Sequence, residues 1–331
     1  MAPSVDFSKS VGFDLGDQPV SWQKRDCLLY NVSLYPFSAS STSGGKPEEE
    51  LNYLYEKSKA FRVIPSYPLV LPLKGATSEV NDFAQMVAGR GAVDGFPALD
   101  PNTIVHAEQS LELHAPIPTS SGDGWKLQKR VSAVHDKKSG LIMETEAKLV
   151  DPSGKLVATM IGSSFYRGGG QGTNFSKSIV SKPPTASPPK DRSPDYSQTT
   201  QTSGLQAVLY RLSGDYNPLH IDPSIGSRGG LGGVILHGLC SYGIAMRAIL
   251  KSLDPQDGLA DESGVELKSV SARFTSPVKP GDELRTDVWV IGEEGQGEKV
   301  LAFEQTVVAT GKKSLGGGRA VVKAGKGKSK L

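Results

Sequence analysis

The chain of 331 residues has only two cysteines, Cys27 and Cys240, far apart in the sequence. Two thiols cannot build a disulfide framework or a thiolate metal site, and such sparing use fits a reducing compartment. No apolar run approaches the ~20 residues needed to span a bilayer, so no membrane-crossing segment is expected. The N-terminal stretch "MAPSVDFSKSVGFDLGD" lacks the apolar centre of a signal peptide and is too acidic for a transit peptide. At the other end acid is what is missing. Nothing from Gln305 onward is Asp or Glu, while Lys312, Lys313, Arg319, Lys323, Lys326, Lys328 and Lys330 are scattered among glycines. No aromatics interleave with these lysines, so the tail reads as solvated rather than as a nucleic-acid arm. The net charge of +2 likewise gives no general attraction to nucleic acid or to a membrane. Histidine is scarce, and His106, His114, His135, His220 and His237 show no metal-ligand spacing, so no metal is expected. "GGLGG" at 229–233 has neither a preceding strand nor a ribose-binding acid, which excludes a dinucleotide loop and a nicotinamide cofactor.

Pro, Ser, Gly and Thr are abundant from Arg167 to Gly204, and 171–203 reads as an extended linker between two like halves, 1–170 and 204–325. In the first half "AEQSLELHAPIPTSSGDGWKLQKRVSAV" reads as strand, Pro-x-Pro corner, Gly-Asp turn, strand. "KSVSARFTSPVKPGDELRTDVWVI" repeats that order in the second half, pairing Pro116 with Pro277 and Gly122-Asp123 with Gly281-Asp282. Each half continues with two further β-rich segments, "GLIMETEAKLVD" and "KLVATMIGSSFYR", then "KVLAFEQTVVAT" and "RAVVKA". Residues 235–252 are apolar nearly all round, which predicts a buried helix, and "NDFAQMVAGR" is the first-half candidate for its counterpart. The pattern predicts an α+β protein in which two helix-plus-sheet domains pair as a pseudo-dimer.

The densest chemistry lies in "RLSGDYNPLHID", residues 211–222. Pro218 forces Asn217 out of the helical region and makes it a natural N-cap, with Pro218 at the first helical position and His220 in the first turn. The chain then bends between Asp215 and His220, and both side chains can reach one point with Asn217 nearby. A carboxylate, an imidazole and an amide so gathered can hold and activate a water. D-x-N-P is also ordinary turn chemistry, so local pattern alone leaves Asp215 divided between site and cap. Gly238, near the start of the predicted helix, would offer an unpaired N–H to developing negative charge. His237 reads as a satisfied, partly buried histidine.

"YRLSGDYNPLHIDP" together with "LHGLCSYG" resembles the (R)-specific 2-enoyl-CoA hydratases, hydratase 2 of the MaoC-like group. "VHAEQSLELHAPIP", "HDKKSG" and "IPSYPLVL" resemble first-half segments of the same family, and the likeness covers most of residues 20–310. The resemblance implies a double hotdog fold, with each half a helix wrapped by an antiparallel sheet. It implies Asp215 and His220 as the catalytic pair, Asn217 as a water-holding residue and the Gly238 N–H as oxyanion donor. It further implies an acyl-CoA site lined by Asp215, Tyr216, Asn217, Pro218, Leu219, His220 and Gly238, with His106, Ala107, Lys137 and Phe274 completing it. The first half carries no D-x-N-P-x-H, and in the family that half accommodates the fatty acyl tail. The implied reaction is hydration of a trans-2-enoyl-CoA to its (3R)-3-hydroxy product. Rival readings are a dehydratase of a specialised acyl pathway, a thioesterase and a non-catalytic acyl-CoA-binding protein. A separate 3-hydroxyacyl-CoA dehydrogenase or epimerising enzyme is the expected metabolic partner, and a homodimer is compatible with the pattern. Ser329-Lys330-Leu331, in a tail of residues 326–331, matches the receptor-read peroxisomal address.

Overall fold

Strands from both halves pair into a single antiparallel sheet. The computed structural model describes residues 5–36, 50–89, 91–99, 104–182, 184–228, 230–253, 265–295 and 297–323. Its strands are β1 (Asp14–Pro19), β2 (Ile104–Leu113), β3 (Lys126–Lys137), β4 (Gly140–Val150), β5 (Leu156–Arg167), β6 (Ser176–Ser178), β7 (Tyr196–Gln201), β8 (Glu266–Phe274), β9 (Glu283–Glu294), β10 (Glu298–Val307) and β11 (Lys313–Lys323). The sheet order is β1-β3-β4-β5-β2-β8-β11-β10-β9-β7, with β6 added to β3. The order is a mirror about the β2–β8 seam, where Glu108 to Glu112 pair with Arg273 to Ser269. Each half thus supplies an edge strand, a helical segment and four sheet strands in the same sequence order. This is the double hotdog, α+β in class.

The second half closes around the helix Gly238–Ser252, in which every residue from Leu239 to Leu250 is buried. That run includes Arg247, whose guanidinium meets the buried Glu50 carboxylate twice, through Nη2 and through Nε at 2.9 Å. Its counterpart by chain position is the helix Lys24–Ser33 and not the predicted stretch at 81–90. Residues Phe83–Ala88 do form a short helix, but none of Phe83–Val87 is buried. The true counterpart escaped the apolar pattern because it buries Cys27, Tyr30, Asn31 and Ser33, of which only Tyr30 is large. Asn31 acts there as a polar hub. Its Nδ2 donates to the Tyr53 and Arg62 carbonyls, and its Oδ1 accepts from the Ile64 N–H.

Two sequence expectations need correcting. β7 falls inside the stretch read as linker, yet it hydrogen-bonds along β9 and buries Gln198 and Thr200. Its polar sequence gave no strand signal. Ala186, earlier in that stretch, is also buried, against Trp289 and Ala302. The last strand begins six residues before "RAVVKA" and runs through Gly316–Gly318. A Cβ at Gly318 would lie 2.4 Å from the Phe303 carbonyl oxygen, so glycine permits the close approach that its low strand propensity conceals. Among the described residues no helix is long and apolar enough to cross a membrane.

Candidate active site

The local chemistry of 215–220 forms as the sequence implies. The Asn217 N–H reaches Asp215 Oδ1 at 3.3 Å, and Asn217 Oδ1 caps the next turn by accepting from the Leu219 N–H at 3.0 Å. Pro218–His220 is a single 3-10 turn. Asp215 therefore both supports the turn and keeps its carboxylate near His220. Nitrogen or oxygen atoms of Asp215, His220 and His237 lie within 4.8 Å of one another.

Hydrogen-bond partners fix the histidine tautomers. His220 Nδ1 is 2.9 Å from the Ile235 carbonyl, which can only accept, so Nδ1 carries the proton and Nε2 keeps its lone pair. Burial lowers the His220 pKa, although the Asp215 charge and the Ile235 bond work the other way. The ring is 8% exposed and borders a cleft of about 340 Å³ walled by Ala207, Val208, Ile221, Val234 and Pro280. A neutral imidazole with an open nitrogen, a carboxylate beside it and access to water is the equipment of an acid–base pair.

His237, read from sequence as a satisfied, partly buried histidine, lies beside Asp215 and His220. It is the N-cap residue of Gly238–Ser252, and its ring stacks on His220 with centroids 3.7 Å apart and planes at 29°. The stack also excludes a shared metal ion. In-plane lone pairs of nearly parallel rings cannot meet on one tetrahedral centre.

Gly238 follows at the first helical position, where its N–H has no partner within the helix. Phe274, at the end of β8, lies against it, so that a Cβ here would come within 3.0 Å of the ring. The His106 ring packs on Phe274 at 4.6 Å, which brings the first half to the rim of the site. Between His106 and Glu108 the β2–β5 register slips at Ala107, a bulge of the kind that re-aims side chains beside active sites. Tyr216 lies under the Arg211 guanidinium at 4.9 Å. Lys137 stands at the end of β3, where the sheet turns into β4, and no described contact joins it to Asp215 or His220. Its neighbour Asp136 holds the start of the interhalf segment, accepting from the Gln171 and Thr173 N–H groups and from the Thr173 hydroxyl.

Two hotdog halves, with a carboxylate and an imidazole brought together near the amide end of the second half's helix, place the protein in the hotdog class. Comparison with known proteins narrows that class. Residues 185–313 match the MaoC like domain and residues 21–168 the MFE-2 hydratase 2 N-terminal domain. The chain is 36% identical to "Probable dehydratase NIT22" of Ajellomyces capsulatus, over 85% of this chain and 71% of that protein. It is 32% identical to "Probable enoyl-CoA hydratase 2" of Dictyostelium discoideum, over 87% of this chain and 88% of that one. The crystal structure of a MaoC-like dehydratase from Phytophthora capsici superposes with a TM-score of 0.81 at 33% identity, covering 97% of this chain and 98% of its own. The chain belongs to the hydratase 2 family of MaoC-like proteins and is a hydro-lyase of fatty acid metabolism.

Proposed function

We propose that this protein catalyses reversible hydration of trans-2-enoyl-CoA to (3R)-3-hydroxyacyl-CoA, with Asp215 and His220 acting on one water. The observation that carries the reading is the free Nε2 of a neutral His220 beside the Asp215 carboxylate, one residue from a helix N-terminus by way of the stacked His237. The water oxygen bonds to C3 while the pair takes one of its protons, and a proton from the pair is delivered to C2. The pair ends as it began. Between the two events electron density moves onto the thioester oxygen, where the Gly238 N–H and the positive end of the helix favour it. Asn217 spends its Oδ1 on the cap, so only its Nδ2 is left to reach the water. His106, Ala107, Lys137 and Phe274 complete the acyl-CoA site in this reading, with Tyr216, Pro218 and Leu219 forming its wall. The first half takes the acyl tail. Dehydration is the same chemistry run backward, with direction set by the relative concentrations of the two thioesters. A (3R)-hydroxyacyl product is a secondary alcohol, so the reaction that consumes it is an oxidation or an epimerisation by a separate enzyme.

The test is to offer purified protein crotonyl-CoA and a C10 enoyl-CoA, following loss of enoyl absorbance and resolving the product on a chiral phase. The expected product is the (3R) alcohol from both substrates. Release of free CoA without hydration supports a thioesterase instead, and binding without turnover supports a carrier. We further propose a peroxisomal location through Ser329-Lys330-Leu331, which lie outside the described residues. Removing Leu331 is expected to leave a tagged protein in the cytosol with activity intact. Continued punctate localisation would overturn that address.

A further inference from the structure

We propose that His237 is a positioning residue for the reaction, holding Asp215 by a hydrogen bond and His220 by a ring stack. The proposal rests on the Asp215/His220 reading above and adds a residue to it. His237 is 1% exposed. Its Nε2 is 3.1 Å from the backbone carbonyl of Asp215, which can only accept, so Nε2 carries the proton and donates. That bond fixes the peptide from which the Asp215 carboxylate projects. One face of the ring covers His220, and Tyr210 packs against His237 at 4.9 Å with planes at 50°. Lateral drift of the His220 ring is blocked while its Nδ1 is tied to Ile235. His237 is also joined through its own peptide to Gly238, the proposed oxyanion donor. A single buried side chain therefore sets the spacing of carboxylate, base and helix amide.

The support behind it extends into the first half. Tyr210 packs on Tyr30 at 6.0 Å, Tyr30 on Tyr67 at 5.2 Å, Tyr67 on Trp22 at 6.1 Å and Trp22 on Trp125 at 4.9 Å. His237 is the last large ring of that column before His220. Burial, with His220 and Arg211 nearby, holds the His237 pKa well below its ordinary value, so the ring does not place a second positive charge against a protonated His220. The Nδ1 atom is buried without a hydrogen-bond partner among the described residues, a cost that a merely space-filling residue would not carry.

Two variants separate the hydrogen bond from the stack. His237→Phe keeps a ring against His220 and Tyr210 but loses the donor to Asp215. His237→Gln keeps an amide donor near the Nε2 position but loses the ring. Each is expected to lower kcat by ~10-fold or more, the scale for a modest misplacement of reacting groups, with KM for the C10 enoyl-CoA changed less than about twofold. His237→Gln is expected to recover part of the activity lost in His237→Ala at equal thermal midpoint. If both variants hold kcat within twofold of the parent, or if KM rises while kcat stays, His237 is only packing and the proposal fails. If His237→Phe does not fold, His237→Gln alone decides by the same criteria. Asp215→Asn measured in parallel tells the two failures apart. A dead Asp215→Asn with active His237 variants removes this inference alone, whereas an active Asp215→Asn removes the acid–base reading beneath it.

Discussion

In the second half the sheet closes over fifteen residues of helix, buried without a break from Leu239 to Leu250. At the same chain position the first half holds ten residues with Asn31 as a hydrogen-bonded hub, followed by short turns through Ile64 to Lys74. The strands repeat and their fillings do not. An apolar helix of that length packs rigidly, and its N-terminus is a fixed reference for chemistry. The first-half interior is built from short pieces joined by side-chain-to-backbone bonds, an arrangement in which an interior can be reshaped without losing the sheet. The second half carries the Asp215–His220 turn, while the first brings the His106 ring onto Phe274 and a column of rings onto Tyr210.

The strongest way to break this division is at the ionic tie that Glu50 makes between the fillings. Glu50, from the first half, is 2% exposed and binds Arg247 inside the central helix, with Lys251 Nζ also at 2.7 Å. Glu50→Ala leaves two cations facing an emptied buried site, and stability is expected to fall by ~3–5 kcal/mol. Urea unfolding with a single fitted slope checks this. A loss under about 1 kcal/mol would mean that the halves are held by the sheet seam and rings alone.

The next effect in size tests whether catalysis resides in the second half only. Asp215→Asn and His220→Gln are each expected to lower kcat by at least ~10²-fold while the fold persists. The double variant should be little worse than either single, because groups acting on one water lose their effect together. The turn alone does not demand an acid at Asp215, since Asn caps about as well as Asp. Near-parent turnover in Asp215→Asn, with an unchanged thermal midpoint, would return the stretch to being a turn.

Much of this arrangement was legible in the sequence, for physical reasons that differ by element. The sheet repeat was visible because its corners reuse the same chemistry: Gly122 and Gly281 both take positive φ, the one before β3 and the other before β9. The central helix was visible because it is apolar on every side. The turn at 215–220 was visible because Pro218 and Asn217 dictate its backbone. The helix Lys24–Ser33 and strand β7 were not, since both bury polar side chains whose partners lie far off in sequence: Asn31 bonds Tyr53, Arg62 and Ile64, and β7 bonds β9 some ninety residues on. The contacts of His237 were hidden for the same reason. Its partners, Asp215 and His220, are 22 and 17 residues away by number, and only the fold shows that it touches both. One sign was available, because His237 stands immediately before the glycine assigned to the oxyanion, at an N-cap where serine, threonine or aspartate is the ordinary choice.

The smallest expected effect is a shift in pH dependence, and it sharpens the comparison because the proposed acid–base pair, Asp215 and His220, comes from the second half. The proposed reaction uses His220 as a neutral base, so kcat/KM should fall as pH drops through the pKa of that group in the free enzyme. Burial is the largest influence and lowers that pKa below the ordinary 6.5, which should keep the plateau extending to the acid side of that value. The Asp215 carboxylate opposes this by favouring the protonated ring. In Asp215→Asn the opposing charge is gone, the imidazole becomes harder to protonate, and the acid limb should move to still lower pH on a much reduced plateau. Because acid and imidazole are neighbours, the limb of the parent belongs to the pair and is read as one apparent value. In His220→Gln the limb should vanish. Profiles of kcat/KM for the parent and both variants, taken at constant ionic strength, check each statement. An acid limb that stays in place in Asp215→Asn would mean that the carboxylate does not sit close enough to His220 to influence its proton.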